Sequence, residues 1–339
     1  MRAAVFRAAG EPLAIEPVAG PSLGIGELLI AVKCCGICGS DLHMAELHSP
    51  AGGMSPLPRG SVMGHEFTGE IVEVSPQAAA SWRVGERVTA LPYIACGGCH
   101  ACLAGQGYRC AQVRYTGIGN LPGGYAEFLR IGAAETLRLP DGVDWQRGAL
   151  VEPMAVGLHA VNAARLVAGD AVLVLGAGPI GLATALWCRY FGARHVIVCD
   201  KVPERLGATA TIAIDREEVV GRFKRIAGTR PAVVFECVGV PGMQQLAMDY
   251  APAGGRIIIV GVCMATDHIE PVKAISKELT VNYVFMYRRQ DFELAIDLLD
   301  RERIDPSAML TATVGFDAFP GVFESLKTDK RACKVMLTP

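Results

Sequence analysis

Charge is what this sequence has least of: only 19% of its 339 residues are charged, against roughly 25% in ordinary globular chains. No run of Lys and Arg is long enough to form a basic stripe, and the formal charge is −2, so no nucleic-acid partner is expected. Internal repeats and low-complexity tracts are missing too. Disorder does not follow from the low charge, because the chain is 51% apolar and carries 39 Gly, a composition suited to buried strands joined by tight turns. The length fits two domains with cores of their own.

Nor is a secretory leader expected: between Met1 and Glu16, the residues Arg2, Arg7 and Glu11 interrupt any useful apolar segment. The expected compartment is the cytoplasm. There, 12 Cys in a long chain do not read as a disulfide scaffold, since disulfide-dense proteins are small secreted domains. One uncharged stretch, Ala171 to Cys188, approaches bilayer length, but Gly176, Gly178, Pro179 and Gly181 break its middle. No membrane association is expected.

What is present changes character along the chain. Residues 1–155 read as short strands punctuated by Gly and Pro: Ala3–Val5, Glu27–Val32, Gly69–Val74, Arg87–Ala90 and Ala126–Leu129. Residues 156–289 alternate apolar strands with helical stretches, the pattern of a doubly wound parallel sheet in an α/β domain. Residues 290–339 hold helices at Phe292–Leu299 and Phe319–Leu326 and a terminal strand at Lys334–Leu337.

Three constellations carry chemistry. Within residues 94–112, Cys96-x-x-Cys99-x-x-Cys102 and Cys110 can wrap one Zn in a closed tetrahedron; an iron–sulfur cluster is the rival for the same four thiolates. Second, Cys38 in GICGSDLH, His65 and Glu66 in GHEFTGE, and Glu152 in VEPMAVG offer a thiolate, an imidazole and carboxylates, a set suited to an open zinc site. Ser40 and His43 follow Cys38 closely. Third, Gly176-x-Gly178-Pro179-Ile180-Gly181 after an apolar strand is a dinucleotide fingerprint, with Asp200 about twenty residues on. Asp200 should accept from a ribose hydroxyl and repel a 2′-phosphate, favouring NAD over NADP, with Lys201 as a basic neighbour that could soften the choice. Arg205 completes the expected cofactor-binding set. The other seven cysteines sit in mostly apolar contexts and read as small core residues.

These motifs, in this order, resemble the zinc-dependent medium-chain alcohol dehydrogenases, in the branch of sorbitol, butanediol and threonine dehydrogenases. The resemblance spans essentially the whole chain. It implies a mainly β GroES-like catalytic domain over residues 1–155, completed by 290–339, and a Rossmann NAD-binding domain over 156–289. It further implies a catalytic zinc held by Cys38, His65 and a carboxylate, Glu66 or Glu152, with a second, structural zinc on the four cysteines. Ser40 matches a relay hydroxyl and His43 the group that passes a proton towards solvent. Hydride transfer from a secondary alcohol or vicinal diol to NAD, giving the ketone reversibly, is the implied reaction. An L-threonine 3-dehydrogenase or a sorbitol-type polyol dehydrogenase is the alternative within the scaffold; a non-catalytic cofactor-binding protein is the alternative outside it.

Two departures from that pattern stand out. After Asp200 the chain runs about six residues short of its relatives, which predicts a truncated second helix. Met286 stands where polyol-oxidising relatives tend to carry Arg, unless the alignment shifts by the neighbouring Arg288 and Arg289. A Met would line an apolar wall and cannot hydrogen-bond several hydroxyls. The apolar run Leu279–Phe285 reads as an edge strand shared across a two-fold axis, so a homodimer or homotetramer is expected.

Overall fold

A computed structural model describes residues 1–202 and 210–339. Arg205 and most of the shortened stretch after Asp200 lie outside the described residues. The chain divides into two compact units, one of Met1–Glu152 with Arg288–Pro339 and the other of Pro153–Tyr287.

Alternation builds the central strand of the first unit. In Glu27–Gly36, Leu28, Ile30 and Val32 are buried while Leu29, Ala31 and Lys33 between them are half-exposed, as a period of two requires. Strand Glu66–Val74 pairs with it antiparallel along one edge, and Arg87–Ala90 and Thr136–Arg138 continue the sheet beyond. The other edge is shared: Phe128–Gly132 takes the first half, and Lys334–Leu337 takes the end with Met336 opposite Gly36 and Leu337 opposite Cys35. Strand Leu310–Val314 then adds in parallel to Lys334–Leu337. Helix Phe319–Thr328 is held to this core by Phe319 and Phe323, both fully buried, with the Phe319 ring 4.8 Å from that of buried Tyr125 in an edge arrangement. Each such aromatic contributes roughly 1.5–3 kcal/mol of burial free energy, so the last fifty residues are core material for the first 150.

The second unit is a six-stranded sheet in the order Thr211–Ala213, His195–Asp200, Ala171–Leu175, Val233–Glu236, Arg256–Ile259, Thr280–Tyr283, every pair parallel. All five residues of AVLVL are buried, as expected for a strand covered on both faces. Chain order reverses between Ala171–Leu175 and Val233–Glu236, which opens a crevice at their carboxyl ends where such sheets bind ligands. The uncharged stretch Ala171–Cys188 is a strand, a turn and the start of helix Pro179–Tyr190. No described helix is long and apolar enough to cross a membrane.

The structure departs from the sequence reading in places. The strand expected at Ala126–Leu129 is instead Phe128–Gly132, because Tyr125–Glu127 bonds back to the N-terminal strand, with Ala126 bridging Ala3. Helix Val151–Ala164 opens with Glu152, a helix-start carboxylate, followed by Pro153. Its ring sits in the first helical turn, where a backbone N–H has no intrahelical partner to lose. Of the seven cysteines read as core filler, Cys34, Cys35, Cys188 and Cys199 are buried, whereas Cys237, Cys263 and Cys333 are only partly so.

Candidate metal centres and cofactor turn

Cys38 ends the turn after the central strand and precedes helix Gly39–Ala45, while Glu66 opens the neighbouring strand with His65 just before it. Antiparallel pairing of Gly36 with Glu66 brings the two segments together. The ligand atoms of Cys38, His65 and Glu66 lie within 4.8 Å of one another. Gly36 is required here: a Cβ at that position would overlap the Glu66 carboxylate. Glu152 is buried in the first turn of Val151–Ala164 and stands outside that three-residue group.

His65 is held from behind. Its Nδ1 faces Asp41 Oδ1 at 3.2 Å, which leaves Nε2 for the cluster, and the Ser40 hydroxyl sits 3.3 Å from Nε2. Asp41 is fully buried; its Oδ2 accepts from Tyr125 Oη at 2.6 Å and from the Cys38 N–H at 3.0 Å. Burial alone would raise the Asp41 pKa, but His65 and the donors around it outweigh burial and hold the carboxyl below its ordinary value. Burial would likewise depress His65, yet Asp41 and then Cys38 push it well above the usual imidazole range. A pocket that draws a proton onto a buried imidazole is one that favours a cation. With a thiolate, an imidazole and a carboxylate converging, the residues fit zinc with room for one further ligand.

Helix Gly39–Ala45 places Ser40 and His43 three residues apart and so on one face. Ser40 is half-buried beside His65, and His43 is exposed. Partial desolvation, then the charge of Lys330, holds His43 below its ordinary pKa, so it is a neutral imidazole near pH 7.

A third side chain reaches the cluster from the end of the chain. Lys334 is 1% exposed, and its ammonium donates to both Glu66 carboxylate oxygens at 2.6 Å and to the Ile37 carbonyl at 2.9 Å. Burial alone would lower its pKa, but Glu66, then Cys38 and Glu152, outweigh that and keep it charged.

The four lobe cysteines also converge, with their Sγ atoms within 4.8 Å of one another and all free of disulfides. The Sγ separations of Cys99–Cys102 and Cys96–Cys102 are 3.5 and 3.9 Å, close to the edge of about 3.8 Å for a tetrahedron with metal–sulfur bonds of about 2.3 Å. A disulfide would bring two of them to about 2.0 Å. A multi-iron core between them would hold them further apart. Backbone N–H groups of Gly98 and Cys99 pull the Cys96 thiol down to about 6, toward the thiolate that a metal takes.

In the second unit, Gly176 at φ 98° turns the chain out of its strand, and Gly178 precedes Pro179 at the first position of helix Pro179–Tyr190. A Cβ on Gly181 would overlap the Gly176 carbonyl oxygen, so the third glycine is needed for the helix to lie on its own turn. Asp200 braces that turn: its Oδ2 accepts from Ala177 N–H at 2.6 Å and its Oδ1 from Val202 N–H at 2.8 Å. Across the reversal point, buried Glu236 accepts from the N–H groups of Val238 and Gly239 at 2.7 and 2.9 Å and fixes the facing loop.

Sequence reasoning did not single out Asp41, Tyr125, Lys334 or Glu236. Asp41 had a local signal, an acidic residue three after Cys38 in a capping-box position. Tyr125 and Lys334 had none, because only the tertiary fold brings them to the site. Asp41→Asn should weaken zinc at this centre by about 10–100-fold, the usual cost of losing an outer-shell partner. Chelator competition measures it, and unchanged affinity would show that Asp41 does not orient His65.

A doubly wound sheet with a glycine phosphate turn, joined in one chain to a β unit bearing an open thiolate–imidazole–carboxylate cluster and a four-thiolate lobe, defines a metal-dependent nucleotide-linked dehydrogenase. Residues 24–141 match the alcohol dehydrogenase GroES-like domain and residues 179–301 the zinc-binding dehydrogenase domain. The chain is 33% identical to an L-threonine 3-dehydrogenase of Aeromonas hydrophila over 95% of this chain and 94% of that one. Among solved structures, a 2R,3R-butanediol dehydrogenase from Bacillus subtilis superposes with a TM-score of 0.87 at 30% identity, covering 100% of this chain and 99% of that one. A zinc-binding dehydrogenase from Sinorhizobium meliloti, bound to NADP, does so with 0.88 at 30% identity and the same coverage. This chain belongs to the zinc-dependent medium-chain alcohol dehydrogenase family and is an oxidoreductase that uses zinc and a nicotinamide cofactor on small alcohol substrates.

Proposed function

We propose that the protein oxidises a secondary alcohol or vicinal diol to its ketone, reversibly, with NAD, in the cytoplasm. The observation that carries this reading is the convergence of Cys38, His65 and Glu66 with the Ser40 hydroxyl 3.3 Å from the His65 ring. Cys38, His65 and one of Glu66 and Glu152 would hold zinc, which would supply a Lewis acid for the alcohol oxygen. Ser40 Oγ would accept the proton the alcohol gives up while releasing its own, and His43, neutral and exposed, would deliver a proton to solvent. Asp41 keeps the His65 ring in the tautomer that presents Nε2. A bound nicotinamide would supply the acceptor for the carbinol hydride.

Cofactor choice rests on Asp200, whose carboxylate at the end of the second strand disfavours a 2′-phosphate, and the glycines with Pro179, Ile180 and Arg205 complete that site. A second zinc belongs on Cys96, Cys99, Cys102 and Cys110, giving two per chain. Met286, half-buried with φ 56°, cannot hydrogen-bond several hydroxyls and so favours a small or partly apolar alcohol over a polyol. The exposed edge strand Thr280–Tyr283, flanked by Tyr283 and Phe285 at 61% and 56% exposure, supports a homodimer or homotetramer. The likeness to an L-threonine 3-dehydrogenase favours threonine as the second reading. Turnover of 2,3-butanediol, simple secondary alcohols, sorbitol and threonine, each with NAD and NADP, tests the reading. Activity confined to threonine would replace the substrate assignment, and preference for NADP would replace the cofactor assignment.

A further inference from the structure

Lys334 has no place in the scheme above, yet it is the buried cation of the site. Its strand pairs with the one that delivers Cys38: Met336 lies opposite Gly36, and Ile37 N–H donates to Val335 O at 2.9 Å. Continued one step, that register sets Lys334 level with Cys38. Its three ammonium protons meet the two Glu66 oxygens and the Ile37 carbonyl, so no proton is left for water. Burying such a pair gives little net stability compared with apolar residues of the same volume. A fold that needed only a stable core had cheaper choices here.

We infer that Lys334 is a positioning residue that makes Glu66 an exchangeable ligand, holding both carboxylate oxygens so that the carboxylate competes only weakly for the cation bound by Cys38 and His65. Each carboxylate oxygen has two acceptor sites, and the ammonium takes one from each. Glu66 can therefore still approach a metal, but as a donor whose charge is already shared. Without Lys334, Glu66 would face the cation as a full, otherwise unpaired carboxylate and would bind it firmly, closing the position a substrate oxygen needs. This inference rests on the reading of Cys38, His65 and Glu66 as the catalytic zinc site.

The test uses the full chain loaded with zinc, with release to a colorimetric chelator followed in time and thermal unfolding recorded in parallel. Lys334→Met should slow release from the Cys38 site by roughly tenfold or more and leave release from the four-cysteine lobe unchanged. Lys334→Arg, which keeps the charge, should release zinc within about threefold of wild type. Release from folded Lys334→Met that is as fast as wild type, or faster, overturns the inference and leaves Lys334 a structural residue. Should Lys334→Met fail to fold, Glu66→Gln and Glu66→Gln/Lys334→Gln are compared. Lys334 acts only through Glu66, so equal release rates support the inference, and a difference beyond about threefold overturns it. The underlying site assignment fails separately, if Cys38→Ser keeps both zinc ions.

Discussion

On the proposed assignment of Cys38 to a catalytic zinc, Cys38→Ser should bind one zinc fewer per chain and lose at least about a thousandfold in kcat/KM. The thiolate is one of three ligand atoms gathered within 4.8 Å, and a hydroxyl is a poor substitute for it at a soft divalent cation. Lewis-acid stabilisation by such an ion is worth several kcal/mol, and each 1.36 kcal/mol is a factor of ten in rate. Folding should be nearly untouched, because Cys38 is only half-buried, and the four-cysteine lobe should keep its metal. Metal analysis beside steady-state kinetics checks both halves. Retention of a tenth of the activity, or of both zinc ions, would remove Cys38 from the catalytic centre.

Gly181→Ala should cripple the other unit. One methyl group at this position overlaps the Gly176 carbonyl oxygen, and neither the helix nor the turn can yield without moving the other. Overpacking of this kind costs about 1–3 kcal/mol, and in a domain of this size each kcal/mol lowers the melting temperature by roughly 2–4 °C. The larger effect should fall on the cofactor: the turn that admits the pyrophosphate is the part displaced, so affinity for NAD should drop at least about a hundredfold. Fluorescence titration with NADH, beside a melting curve, checks the two together. Unimpaired binding would mean that the cofactor does not rest on this turn.

The fold was legible where one face or both faces of an element are buried. AVLVL, HVIVCD and VVFE announce covered parallel strands because their apolar side chains are buried in unbroken runs, and the glycines between them are fixed by sterics that are purely local. Strand Leu310–Val314 was hidden by its largely exposed LTATV sequence, which carries no burial pattern to detect. The site divides in the same way. Cys38, His65, Glu66 and the four lobe cysteines stand in short motifs with metal-ligand spacing, whereas Tyr125 and Lys334 reach Asp41 and Glu66 from 84 and 268 residues away. No window along the sequence contains those pairs, and nothing about a lone tyrosine or lysine marks it as destined for burial.

The strand Lys334–Leu337 sets an order of assembly on a growing chain. Residues 153–287 form a contiguous unit whose parallel sheet can close as soon as they have been made. The first unit cannot: its central strand, ending at Gly36, waits for Met336 and Leu337 to cover its far edge, and Glu66 waits for the buried ammonium of Lys334. The part synthesised first is thus finished last, and until then its apolar strand edge stays open to pairing with other chains. Cells making this protein at high rate should accumulate misfolded material from residues 1–152 before any arises from the nucleotide-binding half.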